Sequence, residues 1–80
     1  MDNVVLSAQM KRETERLLAQ IARADSMIVA VKAGARAEGF VLGLETAGAL
    51  RVGDAENLYV IFESALEDRL VGLASMVSIN

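Results

Sequence analysis

The sequence predicts an all-α protein: a long N-terminal helix and an antiparallel C-terminal helix, completed as a bundle by dimerisation. Three observations carry that expectation. Apolar residues recur every three or four positions through both halves of the chain, the spacing of a buried helical stripe. Proline is absent, and Ala, Leu, Arg and Glu abound, all strong helix formers. Finally, 54% of the 80 residues are hydrophobic and mean hydropathy is +0.38. A chain this small buries only about 60% of its extended surface when it folds alone. Two or three helices cannot hide so much apolar surface by themselves, whereas an oligomer supplies the missing half of each core.

The whole chain, residues 1–80, reads as a single helical domain. The first helix is expected over about residues 4–48. Within it Leu17, Ile21, Ala24, Ile28, Val31 and Ala35 follow a 4-3-4-3-4 rhythm, that of a coiled-coil seam. Arg12 with Glu15 and Glu13 with Arg16 stand three residues apart, where opposite charges support a helix. The A-G-A at 33–35 is a candidate break, with Gly34 either ending the helix or sitting within it, because glycine weakens a helix by about 1 kcal/mol. The pattern then resumes with Phe40, Leu44 and Ala47.

Gly48 suits a left-handed terminus, and a turn is expected over 49–53. Asp54 and Glu56 then fit the positive end of a new helix, expected over about residues 54–77. Its inner face would be Leu58, Phe62, Leu66, Leu70, Leu73 and Val77.

Folding such a hairpin about residues 49–53 leaves residues 1–23 with nothing opposite them. At 1.5 Å per residue they would project about 35 Å, and an unsupported amphipathic arm is marginal in water. Pairing with a second subunit is the expected remedy, through Leu17, Ile21, Ile28 and Val31. The stretch A-E-G-F-V-L-G-L-E-T-A-G carries three glycines. Ala35, Gly39, Gly43 and Ala47 lie at successive i+4 positions and form a small-residue stripe. Such a stripe admits another helix at the short end of the usual 8–10 Å separation. Gly39-x-x-x-Gly43 resembles a membrane dimer motif, but Glu38 and Glu45 flank it, which argues against membrane use.

Charge is split along the chain. Residues 1–36 hold six bases against four acids, a balance of +2, while residues 37–80 hold two bases against seven acids, a balance of −5. That asymmetry suits surfaces that lie against each other.

The chain has no His and no Cys. That excludes the common zinc sites, Ser–His and Cys–His pairs, and disulfides. Glu63, Glu67 and Asp68 are read as a solvated face rather than as an acid–base or metal pair. No catalytic, cofactor-binding or metal-binding residue is expected. Lys11 to Arg16, K-R-E-T-E-R, is interleaved with acids and lacks aromatics for base stacking. The helix after the turn is acidic, so phosphates would repel it. Nucleic acid is not the expected partner. Tyr59, off the main stripe, is a candidate anchor for a protein partner, with Glu63, Glu67, Arg12 and Arg16 as charged candidates. The opening M-D-N-V-V-L-S has no basic leader, so a cytoplasmic location is expected.

The segments E-G-F-V-L-G-L-E-T-A-G-A-L, R-V-G-D-A-E-N-L and A-L-E-D-R-L, within residues 37–70, resemble short helical accessory proteins of prophages and phages. Members of that group bind host proteins such as quorum-sensing receptors or pilus motors. The chain departs from their pattern at Arg51, where such proteins place Ser or Thr to cap the last helix. The resemblance implies a non-enzymatic inhibitor or modulator that masks a host protein's surface, acting in the host cytoplasm. The alternatives are a structural or assembly oligomer and, behind it, a DNA-binding regulator.

Overall fold

A computed structural model of the chain describes residues 6–77, with the side chain of Val77 left aside. Three helices and no strand occupy these residues: α1 (Ala8–Arg23), α2 (Met27–Thr46) and α3 (Asp54–Val77). The expected beginning near Val4 lies outside the described residues. Residues 6 and 7 are non-helical, and Ser7 caps α1 by accepting from the Met10 amide at 3.2 Å.

The break in the first half falls at residues 24–26, and the helix runs unbroken through Gly34. Of the two readings of Gly34, the one that leaves it within the helix holds, and three helices replace the expected two. The cause is local. Ser26 adopts an extended backbone (φ −147°, ψ 161°), and its hydroxyl accepts from the Val29 amide at 3.2 Å. One otherwise unpaired donor of the new helix is thereby satisfied. The Ala24 amide closes the previous helix on Ile21 O at 3.2 Å. A glycine inside α2 weakens the helix without ending it, whereas the serine cap, two residues beyond the α1 C-cap Ala24, starts a new one.

With that corner in place, α1 folds back antiparallel to α2, and α3 returns alongside both. The result is an up-down-up bundle 47 Å long and 18–19 Å across. The main core is built by Leu17 and Ile21 of α1, Ala33, Ala37 and Val41 of α2, and Ala55, Leu58 and Phe62 of α3. A smaller cluster of Ala24, Ala30 and Leu73 seals the corner end, with Leu66 and Leu70 packed against it. Phe40, Tyr59 and Leu18 are partly buried around the main core.

The packing surface of α2 is made of small residues: Ala30, Ala33, Gly34 and Ala37 are buried, with Val41 beyond them. At Gly34 the approach of α3 is close enough that an added Cβ would stand 2.8 Å from Leu66 Cδ2. Small residues do admit a neighbouring helix here, along a stripe one step round from Ala35, Gly39, Gly43 and Ala47. Those four are exposed, and beyond the helix's own neighbouring backbone no atom lies within 4 Å of where a Cβ at Gly39 or Gly43 would be.

The α2–α3 connection follows from two glycines and one carboxylate. Gly48 takes φ +70°. Its amide donates to Glu45 O at 3.1 Å, and that of Ala49 to Leu44 O at 2.9 Å. This pair of bonds is the Schellman closure of a helix C-terminus. Gly53 takes φ +90°, which aims the chain into α3. Asp54 is buried, and its Oδ2 accepts from the Arg51 amide at 3.2 Å and from Arg51 Nε at 3.5 Å. Arg51 thus joins the helix start as a donor to the Asp54 carboxylate.

Candidate functional site

The exposed surface carries three features, divided by helix face. The first is the outer face of α2. Ile28 (69% exposed), Val31 (52%) and Leu42 (57%) stand in solvent with Ala35 and Gly39. At about 100° per residue these five share one stripe, on the side turned away from the buried Ala30, Ala33, Ala37 and Val41. Lys32 and Arg36 flank it on one edge, Glu38 and Glu45 on the other.

The second is an open groove of about 550 Å³ between α1 and α2. Ala19, Ala24 and Ala33 contribute its small-residue lining, with Gln20 and Val29 beside them, and Arg16, Arg23 and Arg36 lie along it with Asp25 at the corner. Gln20 Oε1 is buried there with no hydrogen-bond partner, an unusual condition for a buried acceptor. Arg16 is held by Glu13, whose Oε1 accepts from its Nε at 2.9 Å and whose Oε2 pairs with Nη2. That bidentate bond holds the Glu13 carboxyl below its ordinary value and raises Arg16. A neighbouring groove of about 540 Å³ is lined by Gln9, Met10, Arg12, Glu13, Arg16, Phe40 and Leu44.

The third is the outer face of α3. Glu56, Val60, Glu63, Ser64, Glu67 and Val71 are exposed along one side, opposite the buried Leu58, Phe62 and Leu73. Among the described residues the ion pairs are Glu13–Arg16 and Arg51–Asp54. The acids of α3 therefore form no ion pair with the bases of α1 and α2. The charge split read in the sequence persists as two separate surfaces.

The expected interface residues divide at the corner. Leu17 and Ile21 are 3% and 0% exposed within the single chain. They pack against α2 and α3 and are not available as a seam to a second subunit. The arm expected to need an outside partner finds one inside. Ile28, Val31, Ala35, Gly39, Gly43 and Ala47 remain exposed, because the turn at 24–26 carries the second half of the rhythm to the other side of the bundle. Tyr59 is half-buried against the core. Arg12 and Arg16 share the groove beside Phe40, while Glu63 and Glu67 stand on the outer face of α3. The α1–α2 groove escaped sequence reasoning. Its signal was the A-D-S at 24–26, which identifies the corner that brings Arg23 and Arg36 to one groove.

Among the described residues there is no group of three or more acids placed to hold a metal ion, and no helix is long and apolar enough to cross a membrane. No protein-family model, characterised protein or solved structure matches the chain.

Proposed function

We propose that this protein is a non-enzymatic binding module whose outer α2 face docks on another protein. The observation that carries this reading is the exposed stripe of Ile28, Val31, Ala35, Gly39 and Leu42. Large apolar side chains grouped on one exposed helix face characterise interaction sites. Ala35 and Gly39 between them offer a shallow bed in which a partner's helix can lie close. Lys32 and Arg36 on one edge, with Glu38 and Glu45 on the other, give the face a polar rim of both signs, which fixes orientation more than it adds affinity.

The resemblance of residues 37–70 to phage accessory proteins supplies the partner class. The chain acts as a phage-encoded inhibitor or modulator, and its target is a host protein whose helix-mediated assembly the α2 face obstructs. A photoreactive residue placed at Val31 tests this in lysate of a candidate host, with the same group at Val52 as the control. The expected result is one discrete adduct from position 31 that disappears when Leu42→Glu is added. The same adducts from both positions, or none from position 31, overturn the reading.

A further inference from the structure

We infer that a second copy of this chain seats the acidic outer face of its α3 in the arginine-lined groove between α1 and α2. Both surfaces carry charge that is left unpaired within the described residues. Arg23 and Arg36 line the groove and form no ion pair among the described residues, and Arg16 beside them is paired only with Glu13 on its own helix. On the outside of α3, Glu63 and Glu67 are likewise unpaired, and like charges one turn apart repel mildly unless an opposite charge faces them.

The two surfaces also match in size and polarity. Arg16 and Arg23 are seven residues apart on α1, about 10 Å of helix, and Glu63 and Glu67 span about 6 Å, so both acids fall within the reach of the arginines. Val60 and Val71 (65% and 61% exposed) bracket the acids, while Val29 and the alanines at 19, 24 and 33 give the groove its apolar part. Small groove residues admit a helix, and arginine fits carboxylates in bidentate geometry.

The two surfaces lie on different parts of one chain, so each copy offers both. A reciprocal pairing across a two-fold axis uses them twice and closes as a dimer. Ile28, Val31, Ala35, Gly39 and Leu42 of the outer α2 stripe are no part of this contact, and Arg36 alone borders both surfaces.

Charge reversal tests it on the full chain. Arg23→Glu with Arg36→Glu defines one variant, and Glu63→Lys with Glu67→Lys the other. Arg23, Arg36, Glu63 and Glu67 are all exposed, and circular dichroism verifies that both variants fold. By sedimentation equilibrium the native chain is expected to run above one-chain mass at about 0.05 M salt and to fall toward it at about 0.5 M, where screening is strong. Each variant alone should associate at least about tenfold more weakly. An equimolar mixture of the two should recover mass, because the groove of one is then acidic and the α3 of the other basic. A native chain that stays at one-chain mass at low salt overturns the inference. So does a folded mixture that fails to associate, or native association that neither salt nor either variant weakens.

Discussion

The guanidinium Nε of Arg69 donates to the backbone carbonyl of Ala24 at 2.7 Å, across 45 positions of sequence. Ala24 is the residue at which α1 ends, so this bond ties the middle of α3 to the corner that makes the fold three helices rather than two. Backbone carbonyls at a helix end lack partners within the helix, and a charged donor satisfies one here. Replacing Arg69 by Met preserves much of the stem and removes the donor. The expected cost is about 1.5–3 kcal/mol by urea unfolding, with faster amide exchange concentrated at residues 24–29. Unchanged exchange at the corner would count against this role.

Ile21 is fully buried between the three helices. Ile21→Ala is expected to lower stability by about 2–5 kcal/mol. Ile21→Glu places an unpaired carboxylate in the core and should unfold the chain, seen as loss of helical circular dichroism. A variant that stayed helical and merely changed its association would return Ile21 to a subunit seam.

The glycines of α2 separate into two kinds. Gly39 and Gly43 face open space, so alanine at either should raise stability by about 1 kcal/mol through helix propensity alone. Gly34→Ala should gain less, because its methyl must displace the end of Leu66, and Gly34→Val should destabilise. If Gly39 exists to receive a partner's helix, Gly39→Ala will raise thermal stability while weakening adduct formation from position 31. Calorimetry and the cross-linking assay read the two effects separately.

Glu13 should titrate below its ordinary value of 4.5, because its hydrogen bonds to Arg16 favour the ionised carboxylate. A lowered carboxyl contributes stability above its unfolded value and loses it as pH falls through the lowered folded value. The contribution is small at so exposed a site. Carbon-detected NMR titration should show the Glu13 midpoint rising when Arg16 is replaced by Ala, and no rise would mean that the pair is not formed in solution.

The helical class, the inner face of the last helix and the left-handed position of Gly48 were legible from residue type and spacing, because those signals depend on neighbours within one or two turns. Leu58, Phe62 and Leu73 are buried as their period requires, and Gly48 holds φ +70°. The seam was legible as a rhythm but not as a single surface. Leu17, Ile21 and Ala24 face inward, whereas Ile28, Val31 and Ala35 face out. A helical period persists in sequence across a turn that redirects the chain, and nothing in the period itself records the change. The serine cap was the local mark of that turn, outweighed by the apparent continuity of the apolar repeat.

By itself, then, the sequence determined that the chain is helical, where α3 begins, and that bases and acids are segregated along it. Only the tertiary structure decided that α1 is sheltered by its own chain, that the packed small-residue stripe is Ala30–Ala33–Gly34–Ala37, and that Arg23 and Arg36 share a groove. Local propensity fixes backbone conformation residue by residue. Which face a helix buries depends on the direction from which its neighbour arrives, and here three residues at a corner set that direction.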